Sequence, residues 1–291
     1  MSQILDGRTV ADGIRKELAA RIKTLEPKPK LVIIQVGDLE ETNAYIRQKK
    51  LFGEKIGALV DHRQYSVNIA EVDLLEKIAE MNRDASVHGI IIQLPLADQL
   101  DKDKLTAAVA PEKDVDGLGP VNLHLLWNSN SRCFIPATTK GILTLLSHYR
   151  IPVVGKKVVI VGRSALVGKP TAIALLNQNA TVTICHRQTK NLTKETRGGD
   201  ILIVAAGQPK FIDENYVKAN QVVVDVGINL LSGQKLEEET SSRKLIGDVD
   251  FEKVKDVVAA LSPVPGGVGP MTVTSLFENL FEAYRRQTAA F

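Results

Sequence analysis

The feature that most constrains this chain is a regular alternation of short apolar runs with longer amphipathic stretches. Lys30 to Val36, Gly89 to Leu94, Lys157 to Val161, Ile201 to Ala205 and Gln221 to Val226 are rich in Val, Ile and Leu. Runs of this kind read as strands buried on both faces, as in a parallel sheet covered by helices. Val60 to Tyr65 and Thr181 to Cys185 read as further strands. Val10, Ile14, Leu18 and Ile22 form a helical stripe within Gly7 to Thr24. Asn43 to Ile56 (closed by Gly57), Glu71 to Asn82 and Gly168 to Asn177 continue the pattern, the last with Pro170 in its first turn. Strands and helices in turn imply crossover connections, so the fold class is α/β with mostly parallel sheets.

A chain of 291 residues has room for two domains. The boundary is placed near Pro136, giving domains over 1–136 and 137–270, the second with a Rossmann-like, dinucleotide-binding outline. A final amphipathic helix, Thr272 to Arg286 within 271–291, is expected to return to the first domain. Aromatic residues are only 4 %, so aliphatic side chains must fill both cores. A net charge of +3 is too balanced to point to nucleic acid, yet would not repel an anionic ligand. Cys133 and Cys185 are too few for a disulfide framework. The start, Met1-Ser2-Gln3, has no basic or apolar leader, and no apolar run approaches a membrane span. A cytoplasmic protein with no membrane or nucleic-acid partner is the expectation.

Gly162-Arg163-Ser164-Ala165-Leu166-Val167-Gly168 lies between an expected strand and an expected helix. Glycines let the backbone turn there, and a helix N-terminus offers free N–H groups to a pyrophosphate. Spacing alone also fits a tight turn without a ligand, because the usual G-x-G-x-x-G is incomplete. The next strand ends at Cys185-His186-Arg187, the place where such folds meet the adenosine ribose. Arg187 suits a 2′-phosphate and therefore NADP over NAD, although a solvated arginine is the plain alternative.

Tyr45 and Lys49 stand four apart on one helix and so share a face. A partly desolvated lysine there is suited to acid–base work, while a solvated surface pair is the ordinary reading. Gln93 ends a buried strand, where an amide needs a partner and open α/β sheets place ligands. Lys113-Asp114-Val115-Asp116-Gly117 sets two carboxylates in a turn. With no His or Cys cluster near them, an Asx turn fits better than a metal site, and no metal is expected.

Together these segments resemble one family, the bifunctional methylenetetrahydrofolate dehydrogenase/cyclohydrolases. The resemblance runs through Tyr45-Ile46-Arg47-Gln48-Lys49, Gln93-Leu94-Pro95-Leu96, Lys113 to Gly117, Gly162-Arg163-Ser164 and Val167-Gly168. It continues through Asp225-Val226-Gly227-Ile228-Asn229, Gly247-Asp248-Val249 and Pro263 to Thr272. It implies a folate-binding catalytic first domain and an NADP-binding second one. It makes Lys49 the cyclohydrolase lysine, with Tyr45 beside the folate, Gln93 holding the lysine and Leu94 next to it. Asp116 corresponds to the pterin-binding aspartate. Gly162, Arg163, Ser164 and Ile228 correspond to cofactor positions, and Pro265, Gly266 and Gly267 to a backbone wall beside the folate. The implied substrates are one-carbon derivatives of tetrahydrofolate, and the implied assembly is a homodimer.

Three positions depart from the family pattern: His124 for a glycine, Ala137-Thr138-Thr139 for Cys-Thr-Pro, and Arg187 for a serine. Neither of the first two removes a group the chemistry requires, and the third bears on cofactor choice. Two other readings stand beside this one. A short-chain dehydrogenase also uses Tyr-x-x-x-Lys, but there the pair follows the glycine turn, whereas here it precedes it. A non-catalytic NADP-binding regulator would have no use for Lys49, Gln93 and Asp116 together.

Overall fold

The computed structural model describes residues 2–230 and 245–289. The first half contains β1 (Gln3–Ile4), α1 (Gly7–Ile22), β2 (Lys30–Val36), α2 (Glu40–Ile56) and β3 (Leu59–Tyr65). It continues with α3 (Glu71–Arg83), β4 (Gly89–Ile92), α4 (Lys102–Ala108) and α5 (Pro120–Trp127). The second half opens with α6 (Ala137–His148), β5 (Lys157–Val161), α7 (Gly168–Asn177), β6 (Thr181–Cys185), α8 (Leu192–Gly198) and β7 (Ile201–Val204). After a 3-10 turn at Glu214–Tyr216 come β8 (Val222–Asp225), β9 (Asn229–Leu230) and β10 (Leu245–Ile246). α9 (Phe251–Val254), β11 (Ala260–Leu261) and α10 (Val268–Thr288) complete the chain.

Two compact units result. The N-terminal unit comprises Ala11–Ala137 with Val273–Phe291, and the C-terminal unit comprises Met1–Val10 with Thr138–Thr272. The first ten residues therefore group with the second half of the chain, unlike the expected range of 1–136. The cause is β1, which pairs in parallel with β11. A two-residue strand carries no periodicity to read. The expected ranges 1–136, 137–270 and 271–291 include residues 1, 231–244 and 290–291, which lie outside the described residues.

The N-terminal unit is built on a parallel sheet in the order β3-β2-β4. Its middle strand alternates between two cores. Leu31 and Ile33 pack with Leu18, Ile56 and Phe277 on one face. Val32, Ile34 and Val36 pack with Leu74, Ile78 and Leu105 on the other. Each such side chain contributes roughly 1.5–3 kcal/mol by leaving water, so a charge at Ile33 would break the unit. Both faces being covered explains why the strand reads as an unbroken apolar run.

In the C-terminal unit the sheet order is β1-β11-β8-β7-β5-β6, and every pairing is parallel. Val159, Val161, Leu202, Val204 and Val223 fill the core on one face of it. β9 and β10 form a separate antiparallel pair. Among the described residues no helix is long and apolar enough to cross a membrane.

Candidate active site

In the N-terminal unit the chain lays down β2, then β3 on one side and β4 on the other. The crevice at the C-terminal ends of β2 and β4 is thus the switch point where open α/β sheets hold ligands. Two segments leave the sheet there. α2 follows β2 and buries Ile46 and Ile56 in the core, while Tyr45 and Lys49, one turn apart, are half-buried. Gln93 follows β4, and its backbone N–H donates to Ile34 O at 2.8 Å.

The Gln93 side chain is oriented by its own neighbour. Its Nε2 donates to Leu94 O at 3.0 Å, which leaves Oε1 to accept from Lys49 Nζ at 2.6 Å. Leu94 is itself half-buried. Burial pushes the Lys49 amine below its ordinary range, and the Asp116 carboxylate partly opposes that shift. Burial pushes Asp116 up to about 6, with Lys49 pulling it back. At neutral pH Asp116 therefore remains an anionic acceptor. Lys49 is a fixed donor whose lone pair becomes available when it deprotonates, as proton transfer requires.

Asp114 and Asp116 have different work. Asp114 Oδ1 accepts from Gly117 N and Leu118 N, and its Oδ2 accepts from Gly119 N and Asn122 Nδ2. It is the Asx-type turn residue, and the turn it holds presents Asp116. Asn279 on α10 supports the same loop, donating from Nδ2 to Val115 O at 2.9 Å and Ile135 O at 3.0 Å. Sequence reasoning allowed for the Asx turn but missed Asn279. Its signal was present: Asn279 is a buried polar residue on the last helix, and such a group needs partners. The described residues contain no cluster of His, Cys, Asp and Glu arranged to hold a metal ion.

The C-terminal unit has its own switch point, where β5 is flanked by β6 and β7. Gly162 follows β5 with φ +128°, and a Cβ there would overlap Ala205 O after β7. Only glycine lets the backbone turn this close to the neighbouring strand. Ser164 Oγ accepts from Val167 N at 3.1 Å and Gly168 N at 3.4 Å, fixing the entry to α7. Arg163 and Ser164 are exposed beside that entry. Arg187 is exposed just beyond the end of β6. Ile228, between β8 and β9, is 39 % exposed. Pro265 is exposed, with Gly266 and Gly267 buried behind it. Gly266 O accepts from Arg8 N, and Gly267 N donates to Pro263 O.

The expected site residues thus fall into two groups. Tyr45, Lys49, Gln93, Leu94 and Asp116 belong to the N-terminal unit. Gly162, Arg163, Ser164, Arg187, Ile228 and Pro265 to Gly267 belong to the C-terminal unit. Tyr45 and Lys49 are therefore not in the unit that carries the glycine turn. Of the departures from the family pattern, His124 is an exposed helical residue beside Asn128. Ala137 is buried at the start of α6, and the buried Thr139 hydroxyl pairs with that of Thr171 at 3.0 Å.

A glycine turn at the switch point of a parallel sheet, on a chain that also buries a lysine against an amide, defines a two-unit α/β enzyme with a dinucleotide-type unit. Residues 5–116 match the tetrahydrofolate dehydrogenase/cyclohydrolase catalytic domain, and residues 136–288 match the NAD(P)-binding domain of the same family. The chain belongs to the tetrahydrofolate dehydrogenase/cyclohydrolase family. It is 44 % identical over 286 residues to the bifunctional protein FolD of Exiguobacterium sibiricum, covering 97 % of this chain and 99 % of that one. The crystal structure of the bifunctional enzyme FolD from Campylobacter jejuni is similar with a TM-score of 0.93 and 39 % identity, covering 98 % and 99 %. FolD of Trypanosoma brucei, complexed with NADP cofactor and inhibitor, matches with a TM-score of 0.93 and 32 % identity, covering 99 % and 98 %.

Proposed function

We propose that this enzyme oxidises 5,10-methylenetetrahydrofolate with NADP and hydrolyses the resulting 5,10-methenyltetrahydrofolate to 10-formyltetrahydrofolate. The observation that carries this reading is the Lys49–Gln93 hydrogen bond at the β2/β4 switch point, with Asp116 acting on the same lysine. The residues of the C-terminal unit fit a dinucleotide: at Gly162 only a residue without a Cβ clears Ala205 O and allows the sharp turn, and α7 begins just after it with its N-terminal N–H groups. Arg163 and Ser164 are assigned to the phosphates, Arg187 to the 2′-phosphate, and Ile228 to the nicotinamide end.

Bound along the glycine turn of the C-terminal unit, NADP would supply the acceptor for the hydride that leaves the methylene carbon between N5 and N10. No proton moves in that step, so the protein's task is alignment. Asp116 is assigned to the pterin, whose adjacent amino and ring N–H groups match a carboxylate in a paired, planar contact. Tyr45 and Leu94 are assigned to the folate beside it, and Pro265 to Gly267 to a backbone wall.

Hydrolysis makes a different demand. Water oxygen adds to the methenyl carbon as its proton passes to Lys49 Nζ. Lys49 passes that proton to N5 as the carbon–N5 bond breaks, the hydroxyl proton leaves to solvent as the C=O forms, and the formyl group stays on N10; one proton is released overall. Gln93 Oε1 holds the lysine nitrogen while its charge changes. The enzyme is further proposed to act as a cytoplasmic homodimer, the family's usual form, which sedimentation and cell fractionation would test.

The direct assay supplies methylenetetrahydrofolate and NADP and follows reduced cofactor and the methenyl chromophore together. Both should form, and added methenyltetrahydrofolate should be hydrolysed without any cofactor. Absence of cofactor reduction with NADP and with NAD would overturn the dehydrogenase assignment.

A further inference from the structure

Two sequence segments stand outside the chemistry just described: Asp225-Val226-Gly227 and Gly247-Asp248-Val249. The structure interlocks them. Asp225 is the last residue of β8, and Asp248 lies just after β10; both carboxylates are buried, Asp248 completely. Asp225 Oδ1 accepts from Gly227 N at 2.9 Å and Asp248 N at 3.1 Å, and its Oδ2 accepts from Val249 N at 2.9 Å. Asp248 Oδ2 accepts from Ala206 N at 2.6 Å and Gly207 N at 2.9 Å. Its Oδ1 accepts from Gln208 N and Asn229 Nδ2, each at 2.9 Å.

The two glycines make the arrangement reciprocal. A Cβ on Gly227 would overlap the Asp248 carboxylate, and a Cβ on Gly247 would overlap that of Asp225. Each aspartate segment thus carries the glycine that admits the other's carboxylate. Every donor to the two carboxylates, among the described residues, is a neutral amide. Without a cation, two buried carboxylates side by side are costly for stability. Burial and the Asp248 charge accordingly push Asp225 up to about 7. An arrangement with such a cost needs a structural return.

That return is visible in what is tied together. Asp248 fastens the segment after β7 (206–208) to the segment after β8 that carries Ile228 and Asn229. Both leave the sheet at strand C-terminal ends, where ligands of such sheets lie. We infer that Asp225 and Asp248 form a reciprocal carboxylate lock that positions the nicotinamide-side segments, making both positioning residues for hydride transfer. The inference rests on the NADP reading given above.

Asp248→Asn tests it, because an amide is isosteric but turns one acceptor oxygen into a donor facing donors. Hydrogen exchange on the free enzyme should show the amides of Ala206, Gly207 and Gln208 losing protection. Affinity for 2′,5′-ADP, which lacks the nicotinamide half, should be unchanged, whereas NADP should bind more weakly. Dehydrogenase kcat should fall by about a hundredfold, the order of loss when a reacting group is misplaced by an ångström. Gly247→Ala, which displaces Asp225 instead, should give the same signature. Asn229→Ala removes one donor and leaves the carboxylate three backbone partners; it should give a weaker version and serves if the others do not fold.

Three results overturn the inference: unchanged protection of residues 206–208, equal weakening of NADP and 2′,5′-ADP, or lost protection with wild-type hydride transfer. A wild-type enzyme that neither binds nor reduces NADP removes the cofactor reading and the inference with it. A wild-type enzyme that does both, beside unaffected variants, removes the inference alone.

Discussion

Lys49 Nζ and Gln93 Oε1 lie 2.6 Å apart and join helix α2 to the residue that leaves strand β4. The contact has a fixed direction, because Gln93 Nε2 is committed to Leu94 O. Its amide oxygen can only accept, so Lys49 presents an N–H to it in either protonation state. A lysine held in this way keeps its position while it gains and loses a proton, which a solvated lysine on a flexible stem would not. Asp116 tunes the same nitrogen from the opposite direction to burial.

The first prediction concerns Asp116. Both proposed reactions use the same bound folate, so Asp116→Ala should weaken both. Paired donors that lose a buried acceptor cost about 1–3 kcal/mol. Steady-state kinetics on each substrate would check this, and unchanged KM and kcat for both would return Asp116 to a turn-forming role like that of Asp114.

Arg187 is exposed beyond the end of β6, where a 2′-phosphate is expected. Arg187→Ser should weaken NADP more than NAD, since only NADP carries that group. A well-formed charge-assisted contact is worth about 1.5–3 kcal/mol, or roughly ten- to a hundredfold in affinity. Titration calorimetry with both cofactors decides. Equal losses would shift the assignment to Arg163.

Asp225 yields a pH prediction. Its carboxyl binds a proton up to about 7 in the fold, against 3.8 for the ordinary group. The folded state therefore holds more protons than the unfolded state between those values, and stability falls as pH rises through them. The contribution is complete below the ordinary value and lost above about 7. Asp225→Asn cannot ionise, so its melting temperature should decline less steeply than that of the wild type across this window. Some slope should remain, because Asp116, raised to about 6, acts with the same sign. Parallel wild-type and variant curves would show that Asp225 ionises as an ordinary carboxyl.

Legibility in the sequence followed locality. β2, β4, β5 and β7 were readable because covered sheets demand apolar residues on both faces, and such runs need no partner to be recognised. Gln93 was readable as an amide ending an apolar strand, and Tyr45 with Lys49 as a helical pair. Contacts made across long separations were not. β1 and β11 are two residues each and take their identity from pairing. Asn279 meets the Asp116 loop across 164 residues of chain at Val115, and no local pattern announces such a partner. The Asp225 and Asp248 segments were visible as motifs, but their interlocking depends on a fold that brings β8 and β10 together.

The last prediction separates the two proposed reactions at Lys49. Hydride transfer asks for alignment, whereas hydrolysis of the methenyl cation also asks for a group that takes and returns protons. Lys49 meets that second demand: burial lowers its proton affinity, and Gln93 holds its nitrogen in place. Lys49→Met keeps the length of the side chain and most of its apolar contact but removes the nitrogen. Hydrolysis of added methenyltetrahydrofolate should fall by ~10²–10⁴-fold, the usual cost of losing acid–base assistance. Dehydrogenase activity should fall less, through lost positioning alone. The methenyl chromophore, followed with and without enzyme, reads the first effect, and reduction of NADP reads the second. Circular dichroism establishes that the variant is folded. A folded Lys49→Met enzyme that hydrolyses at the wild-type rate would take Lys49 out of the mechanism, and the proton would then have to pass through bound water or Asp116.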